Sequence, residues 1–220
     1  MIRAQELALT YPTGTKAILP CDFEIKSGEL VFLIGPSGSG KTSLLKLFMG
    51  SELLTEGSLE VLGQSMTGSQ RNIQKMRQWI GPIFQDFRLI PNKSALENVM
   101  LGLRFLPHIQ EDIHVISEEA LIRVGLSHKI KSHVDTLSWG ESQRVAIARA
   151  MVREPKLILA DEPTGNLDKE NAVHILKLLM DLRDSDTTVI LTTHATHLIE
   201  DVKNAVFIHM NQGQMFLERR

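Results

Sequence analysis

Cysteine occurs once and tyrosine once in these 220 residues. A lone thiol, Cys21, excludes an internal disulfide and has no companion for a cysteine-based metal site. It is expected to pack as a small apolar residue in a chain kept in a reducing compartment. Charge of either sign is not in excess. Twenty-four Lys and Arg against 26 Asp and Glu leave a formal charge of −2, which argues against a dominant nucleic-acid role. Long hydrophobic runs are missing too: none approaches the ~20 residues that span a bilayer. The opening MIRAQELALTYP lacks the apolar core of a signal peptide. The chain is therefore expected to cross no membrane itself, and no internal repeat or low-complexity segment interrupts it. Hydrophobic residues at 43% and charged residues at 23% are enough for an ordinary buried core.

What is present is an alternation of short apolar runs and helical patterns, the mark of an α/β protein with a mostly parallel sheet. GELVFLIG (28–35) reads as a buried strand, followed by a helix over 42–50 closed by Gly50. KLILADEP (156–163) and TTVILTTH (187–194) read as two more buried strands. Asp168 is a candidate N-cap for the helix between them, with Val173, Leu176, Leu179 and Met180 on one face. IRAQELALTY, CDFEIK, GSLEVLG and AVFIHMNQGQMFLE look like short strands and a hairpin, an antiparallel flank. Between about 86 and 135 the rhythm turns helical. Leu96, Val99, Met100 and Leu103 recur at helical spacing. Ala120, Leu121 and Val124 do so again, with Ser117 as N-cap and Gly125 as stop. The expected organisation is one domain: a core over about 1–85 and 150–220, with a helical insert over about 86–149.

GPSGSGKT, from Gly35 through Pro36, Ser37, Gly38, Ser39, Gly40 and Lys41 to Thr42, matches G-x-x-x-x-G-K-[ST] in full, between a strand and a helix as the motif requires. The glycines let successive N–H groups turn toward phosphate oxygens, and the helix start adds positive potential. Lys41 can reach the β- and γ-phosphates, and Thr42 can ligate Mg²⁺. Asp161 ends an apolar strand, where a buried carboxylate needs a partner such as Mg²⁺ opposite Thr42. Glu162 follows. By strand alternation it should point away from Asp161 and could polarise a water. His194 closes the next strand, at the sheet edge where open α/β folds bind ligands.

Taken in order, GPSGSGKT (35–42), IFQDFRLIP (83–91), LSWGESQRVAIARA (137–150), LILADEPTGNLD (157–168) and TTH (192–194) resemble the ATP-binding subunits of ABC (ATP-binding cassette) transporters over nearly the whole chain. The resemblance implies a P-loop NTPase fold: a mostly parallel sheet, an antiparallel β flank and a helical subdomain. It implies ATP and Mg²⁺ as cofactors. It gives Tyr11 the role of stacking on adenine and Gln85 that of sensing Mg²⁺ and the attacking water. Glu162 becomes the catalytic base, Asp168 the link between two nucleotide sites, and His194 the holder of γ-phosphate and water. The alternatives are that Tyr11 packs on Pro12 as a surface aromatic and that Gln85 is a polar residue at a hinge, with stacking the favoured reading for Tyr11.

The same resemblance implies a head-to-tail homodimer, in which the stretch beginning at Ser138 closes on the γ-phosphate held by the other copy. Ser138 offers a hydroxyl, Gly140 a backbone N–H, and the following helix its positive end. Residues 137–150 also suit the capped start of a core helix, with Val145, Ile147, Ala148 and Met151 packing. Two residues depart from the family's Leu-Ser-Gly-Gly-Gln: Trp139 replaces glycine, and Glu141 stands where glutamine is common. Tryptophan forbids glycine-only backbone angles, and Glu141 adds negative charge near the site.

A partner spanning the membrane is implied, docked near Gln85, where Phe87, Leu89 and Ile90 cluster beside Arg88. The chain would then sit in the cytoplasm, peripheral on the inner face of the membrane. Within the family, IFQDFRLIP, SALENV and DEPTGNLD look most like the branch serving lipoprotein release, macrolide and peptide export, and cell division, with FQDFRLIP leaning to the last. A transport ATPase and a signalling ATPase that controls cell-wall hydrolases both fit. A soluble ABC ATPase acting on nucleic acid lacks a basic excess, and a phosphotransferase would leave 137–150 unexplained.

Overall fold

The computed structural model describes residues 1–104, 106, 112–165 and 167–220. Strands β1 (Ile2–Thr10) and β2 (Lys16–Ile25) lead into β3 (Leu30–Ile34) and helix α1 (Lys41–Phe48). Then come β4 (Glu56–Val61), β5 (Gln64–Ser65), α2 (Gln70–Arg77), β6 (Ile80–Ile83), α3 (Ala95–Leu101), α4 (Ile113–Arg123) and α5 (Trp139–Met151). The chain ends with β7 (Leu157–Ala160), α6 (Lys169–Met180), β8 (Thr188–Thr193), β9 (Val206–Asn211) and β10 (Gln214–Arg219).

Two sheets result. One is antiparallel, in the order β2-β1-β4-β5; the other runs β10-β9-β3-β8-β7-β6. In the second, every pairing from β9 to β6 is parallel and only β10 is antiparallel. The final hairpin therefore belongs to the core sheet rather than to the antiparallel flank expected for it: β9 pairs with β3 in parallel register, Phe32 opposite Phe207. Apolar side chains on both faces let β9 serve as an interior strand. Edge strand β6 carries Pro82, a residue without an N–H, in a place where it can be tolerated.

Alternation along β3 divides the interior. Val31 and Leu33 face a cluster shared with Ile2, Leu7, Leu9 and Ile25 of the flank and with Leu44, Leu47 and Phe48 of α1. Phe32 and Ile34 face the other cluster, built from α3, α4, α5 and α6. The expected packing residues Val145, Ile147 and Ala148 are fully buried in α5. On α6 the buried face is Ala172, Ile175, Leu176 and Leu179, whereas Val173 is 48% exposed and not part of the core. Helix α4 starts one turn earlier than expected. Asp112 is its N-cap, accepting from the N–H of His114 at 2.9 Å, and Ser117 lies buried inside the helix. Gly125, with φ 76°, ends it. Helix α2, polar on most sides, had no counterpart in the sequence reading; Ser69 caps it.

Cys21 is half-buried, and its thiol donates to the Leu7 carbonyl at 3.3 Å. Burial, helped by the charges of Asp22 and Glu6, pushes this thiol up to about 11. At pH 8 it should react with a disulfide reagent about a hundredfold more slowly than an ordinary free thiol, as a timed colorimetric assay on the native protein would register.

Candidate functional site

Strands β3, β7 and β8 are neighbours and point the same way, so whatever follows each of them emerges at one edge. Ile34 pairs with Thr193 and Ala160 with Leu191. The phosphate loop, the acids at 161–162 and His194 are thus brought together by register alone.

The loop is pressed between two strands. A Cβ built on Gly35 (φ 155°) would lie 2.0 Å from the Met210 carbonyl oxygen, and one on Gly40 (φ 107°) 2.3 Å from that of Ala17. Only glycine fits either place. Pro36, Ser37 and Gly38 form the exposed crest. Ser39 is 2% exposed, and its hydroxyl has no hydrogen-bond partner, an orphan that suits an acceptor ligand. Lys41 is buried at the start of α1, its Nζ donating to the carbonyls of Gly35 at 2.8 Å and Pro36 at 2.9 Å. Burial lowers its pKa, while Glu162 and Asp161 pull the other way. Tyr11 flanks the loop: its hydroxyl lies 3.0 Å from Ser43 Oγ on α1.

Opposite the loop, Thr192 organises the acids. This fully buried hydroxyl donates to Asp161 Oδ1 at 2.9 Å and accepts the N–H of Glu162 at 2.7 Å. Thr42 donates to the same Asp161 oxygen at 3.2 Å. Strand β7 stops at Ala160, so strand alternation does not aim Glu162, contrary to expectation. Its backbone turns left-handed instead, with φ 45°, a conformation disfavoured for a residue with a side chain. That turn sends the carboxylate to the imidazole of His194, its Oε1 paired with Nε2. The bend continues as the Gly165 N–H donates to the Glu162 carbonyl at 2.9 Å. Gln85 is exposed, and a Cβ on Gly165 would lie 3.8 Å from its amide nitrogen.

Residues 137–141 occupy a separate place. No hydrogen bond or ion pair among the described residues joins them to residues 35–42. Ser138 caps α5 by accepting the Glu141 N–H at 3.3 Å, and Glu141 returns the contact by accepting the Ser138 N–H at 2.8 Å. Two expected difficulties disappear. Trp139 is the first helical residue, outside the positive-φ positions, so no glycine-only angle is demanded of it. Glu141 is paired with Lys129 at 3.3 Å, so its charge is neutralised within the chain. Gly140, in contrast, is buried: a Cβ there would meet Asn171 Oδ1 at 3.3 Å. Asn171 is also held by Asp168, whose oxygens accept its backbone N–H at 2.9 Å and its side-chain amide at 2.6 Å, capping α6.

A cavity of about 640 Å³ touches Gly35 and Pro36, with Phe207, Met215 and Phe216 lining it beside Glu200, His209 and Arg220, but neither Asp161 nor Glu162 reaches it. Sequence reasoning gave no role to Thr192. Its signal was a pair of buried hydroxyls, Thr192 and Thr193, closing an apolar run at the end of β8.

Residues 19–165 match the family described as ABC transporter. The chain belongs to the ABC transporter family. It is an ATP-binding subunit of the ABC type and an ATPase. The cell division ATP-binding protein FtsE of Mycobacterium tuberculosis is 39% identical over 217 residues, 98% of this chain and 94% of that protein. The lipoprotein-releasing system ATP-binding protein LolD of Idiomarina loihiensis is 37% identical over 227 residues, covering 97% and 98%. An ATP-binding cassette solved as a dimer in a post-hydrolysis state bound to ADP and Pi superposes with TM-score 0.89 at 32% identity, covering 100% of this ABC subunit and 98% of that chain.

Thr192→Val keeps the shape and removes the hydroxyl. It should cost about 1–3 kcal/mol in denaturant unfolding, because the Glu162 N–H loses its acceptor. Glu141→Ala should cost about 0.3–1.5 kcal/mol, the worth of one half of a capping box. The Ser138 N–H holds the Glu141 carboxyl below its ordinary range, with Lys129 assisting. A depressed carboxyl stabilises the fold fully above its unfolded pKa of about 4.3 and loses that contribution as pH falls through the folded value. The deficit of Glu141→Ala should therefore shrink in unfolding curves taken below pH 4.

Proposed function

We propose that two copies of this chain bind ATP between them and that hydrolysis drives a partner spanning the membrane. The observation that carries the reading is the gathering of Lys41, Thr42, Asp161, Glu162 and His194 at one sheet edge, while Ser138 stands apart from the phosphate loop. A second copy would bring its Ser138 turn to the γ-phosphate. Ser138 would donate its hydroxyl, and Asp168, fixed beside Gly140 through Asn171, would lie at the join.

Within each site, Lys41 and the N–H groups of Gly38, Ser39 and Gly40 would hold the phosphates, and the orphan hydroxyl of Ser39 would find its partner there. Tyr11 would stack on adenine. The hydroxyl of Thr42 and the carboxylate of Asp161 are hard oxygen donors that share one point in space, which suits Mg²⁺, an ion that takes few protein ligands and keeps its waters. Bound there, Mg²⁺ would neutralise phosphate charge. Glu162 would accept the proton of the attacking water, His194 would orient Glu162 and the γ-phosphate, and Gln85 would contact the water. Phosphoryl transfer asks for positioning and charge neutralisation rather than covalent chemistry.

A groove of about 380 Å³ beside Gln85, formed by Phe84, Arg88, Ile90, Leu101 and Arg149, supports docking of a membrane subunit. Ile90, 45% exposed, would be an apolar contact there, whereas Phe87 is 9% exposed and belongs to the interior. The helical segments of about 86–149 would move with that partner. Among the described residues no helix is long and apolar enough to cross a membrane, so attachment would be peripheral, on the cytoplasmic face. The relatives support a role in cell division or in lipoprotein release. In the first the chain would signal through its partner to cell-wall hydrolases, and in the second it would move a lipidated cargo. The membrane protein that co-purifies from native cells distinguishes them.

Glu162→Gln should lower the ATPase rate by about 10²–10⁴-fold and leave nucleotide binding intact. On a sizing column the variant should run as a dimer with Mg-ATP and as a monomer without it. A strict monomer at saturating Mg-ATP would remove the two-copy reading.

A further inference from the structure

We infer that Trp139 is a positioning residue that couples the two ATP sites, by tying the turn that serves the other copy's nucleotide to the two turns that serve its own. The inference rests on the two-copy reading above.

Three elements meet at its indole. Nε1–H donates to the Gly165 carbonyl at 3.2 Å. Gly165 closes the bend that begins at Glu162, and the Gln85 amide lies beside it. The indole also packs with the Phe87 ring, centroids 4.7 Å apart at 65°, an edge-to-face contact. Phe87 is two residues from Gln85. The turn it belongs to is strained: Phe87 and Arg88 are consecutive left-handed residues, with φ 57° and 48°. Such a turn persists only when its surroundings hold it. Helix α5 does so from its far end, where the Arg149 guanidinium donates to the carbonyls of both Phe87 and Arg88.

The first turn of α5 holds Ser138 and Trp139 side by side, and this is the turn that meets the other copy's γ-phosphate in the proposed assembly. A shift there on closure passes through one hydrogen bond to the Glu162 bend and through one ring contact to the Gln85 turn. Glycine at 139 could make neither contact, so the link is a property of tryptophan at this position. Trp139 itself touches none of residues 35–42 through any of these contacts, so nucleotide affinity of a single copy does not depend on it.

The test compares wild type with Trp139→Phe, which keeps a ring against Phe87 and removes the donor, and with Phe87→Leu and the double variant. Each is assayed for ATPase rate against ATP concentration and for ADP affinity at a dilution where copies stay apart. Wild type should show a Hill coefficient above one. Trp139→Phe should lower kcat about three- to tenfold, the size expected of one hydrogen bond, and move the Hill coefficient toward one at unchanged ADP affinity. The double variant should fall short of the product of the single effects. Cooperativity and kcat retained in Trp139→Phe would overturn the coupling alone. A wild type that hydrolyses ATP without cooperativity, as a monomer, would overturn the two-copy reading and the coupling with it. Weakened ADP binding in Trp139→Phe would place the residue in the nucleotide pocket instead and overturn its positioning role.

Discussion

One buried hydroxyl fixes where the two neighbouring acids of this fold stand. Thr192 sits on the central strand β8 and satisfies the Asp161 carboxylate and the Glu162 backbone at the same time. Two acids that follow one another in sequence therefore meet two different partners. Asp161 stays beside Thr42, and Glu162 swings to His194. The alternative, a second carboxylate left at the sheet edge without an organised environment, would cost free energy and place nothing.

The parallel sheet makes that arrangement possible. Its two faces are buried against different layers, which leaves the strand ends as the place where polar side chains can collect. Left-handed backbone occurs there, as it does in other turns of the chain. Glu162, Phe87 and Arg88 are all left-handed residues without glycine's freedom, and each is gripped by a named partner: Thr192 for the first and Arg149 for the other two. Strain held in this way is a means of aiming side chains.

Much of this could be anticipated from residue order. The phosphate loop, the strand before it and the acids at 161–162 carry local signals: glycines that only one geometry tolerates, and carboxylates at the end of an apolar run. Asp168 and Gly125 were legible as caps because capping chemistry is local. Misses came where a contact distant in sequence decides. The β9 strand pairs with β3 rather than joining the flank, because its neighbour is chosen by the sheet and not by its own pattern. Val173 fits the period of the α6 apolar face yet faces out. The aim of Glu162 depends on Thr192, 30 residues away, and no strand-alternation rule contains that information. Trp139 reads as a conformational obstacle, because the carbonyl that accepts its indole N–H lies 26 residues downstream.

Pro82 has one more implication. Edge strands are templates for adding a further strand, and proline blunts that tendency by withholding a donor. With β6 closed to ladder growth on its open side, the core sheet is steered away from fibre-like stacking, edge against edge.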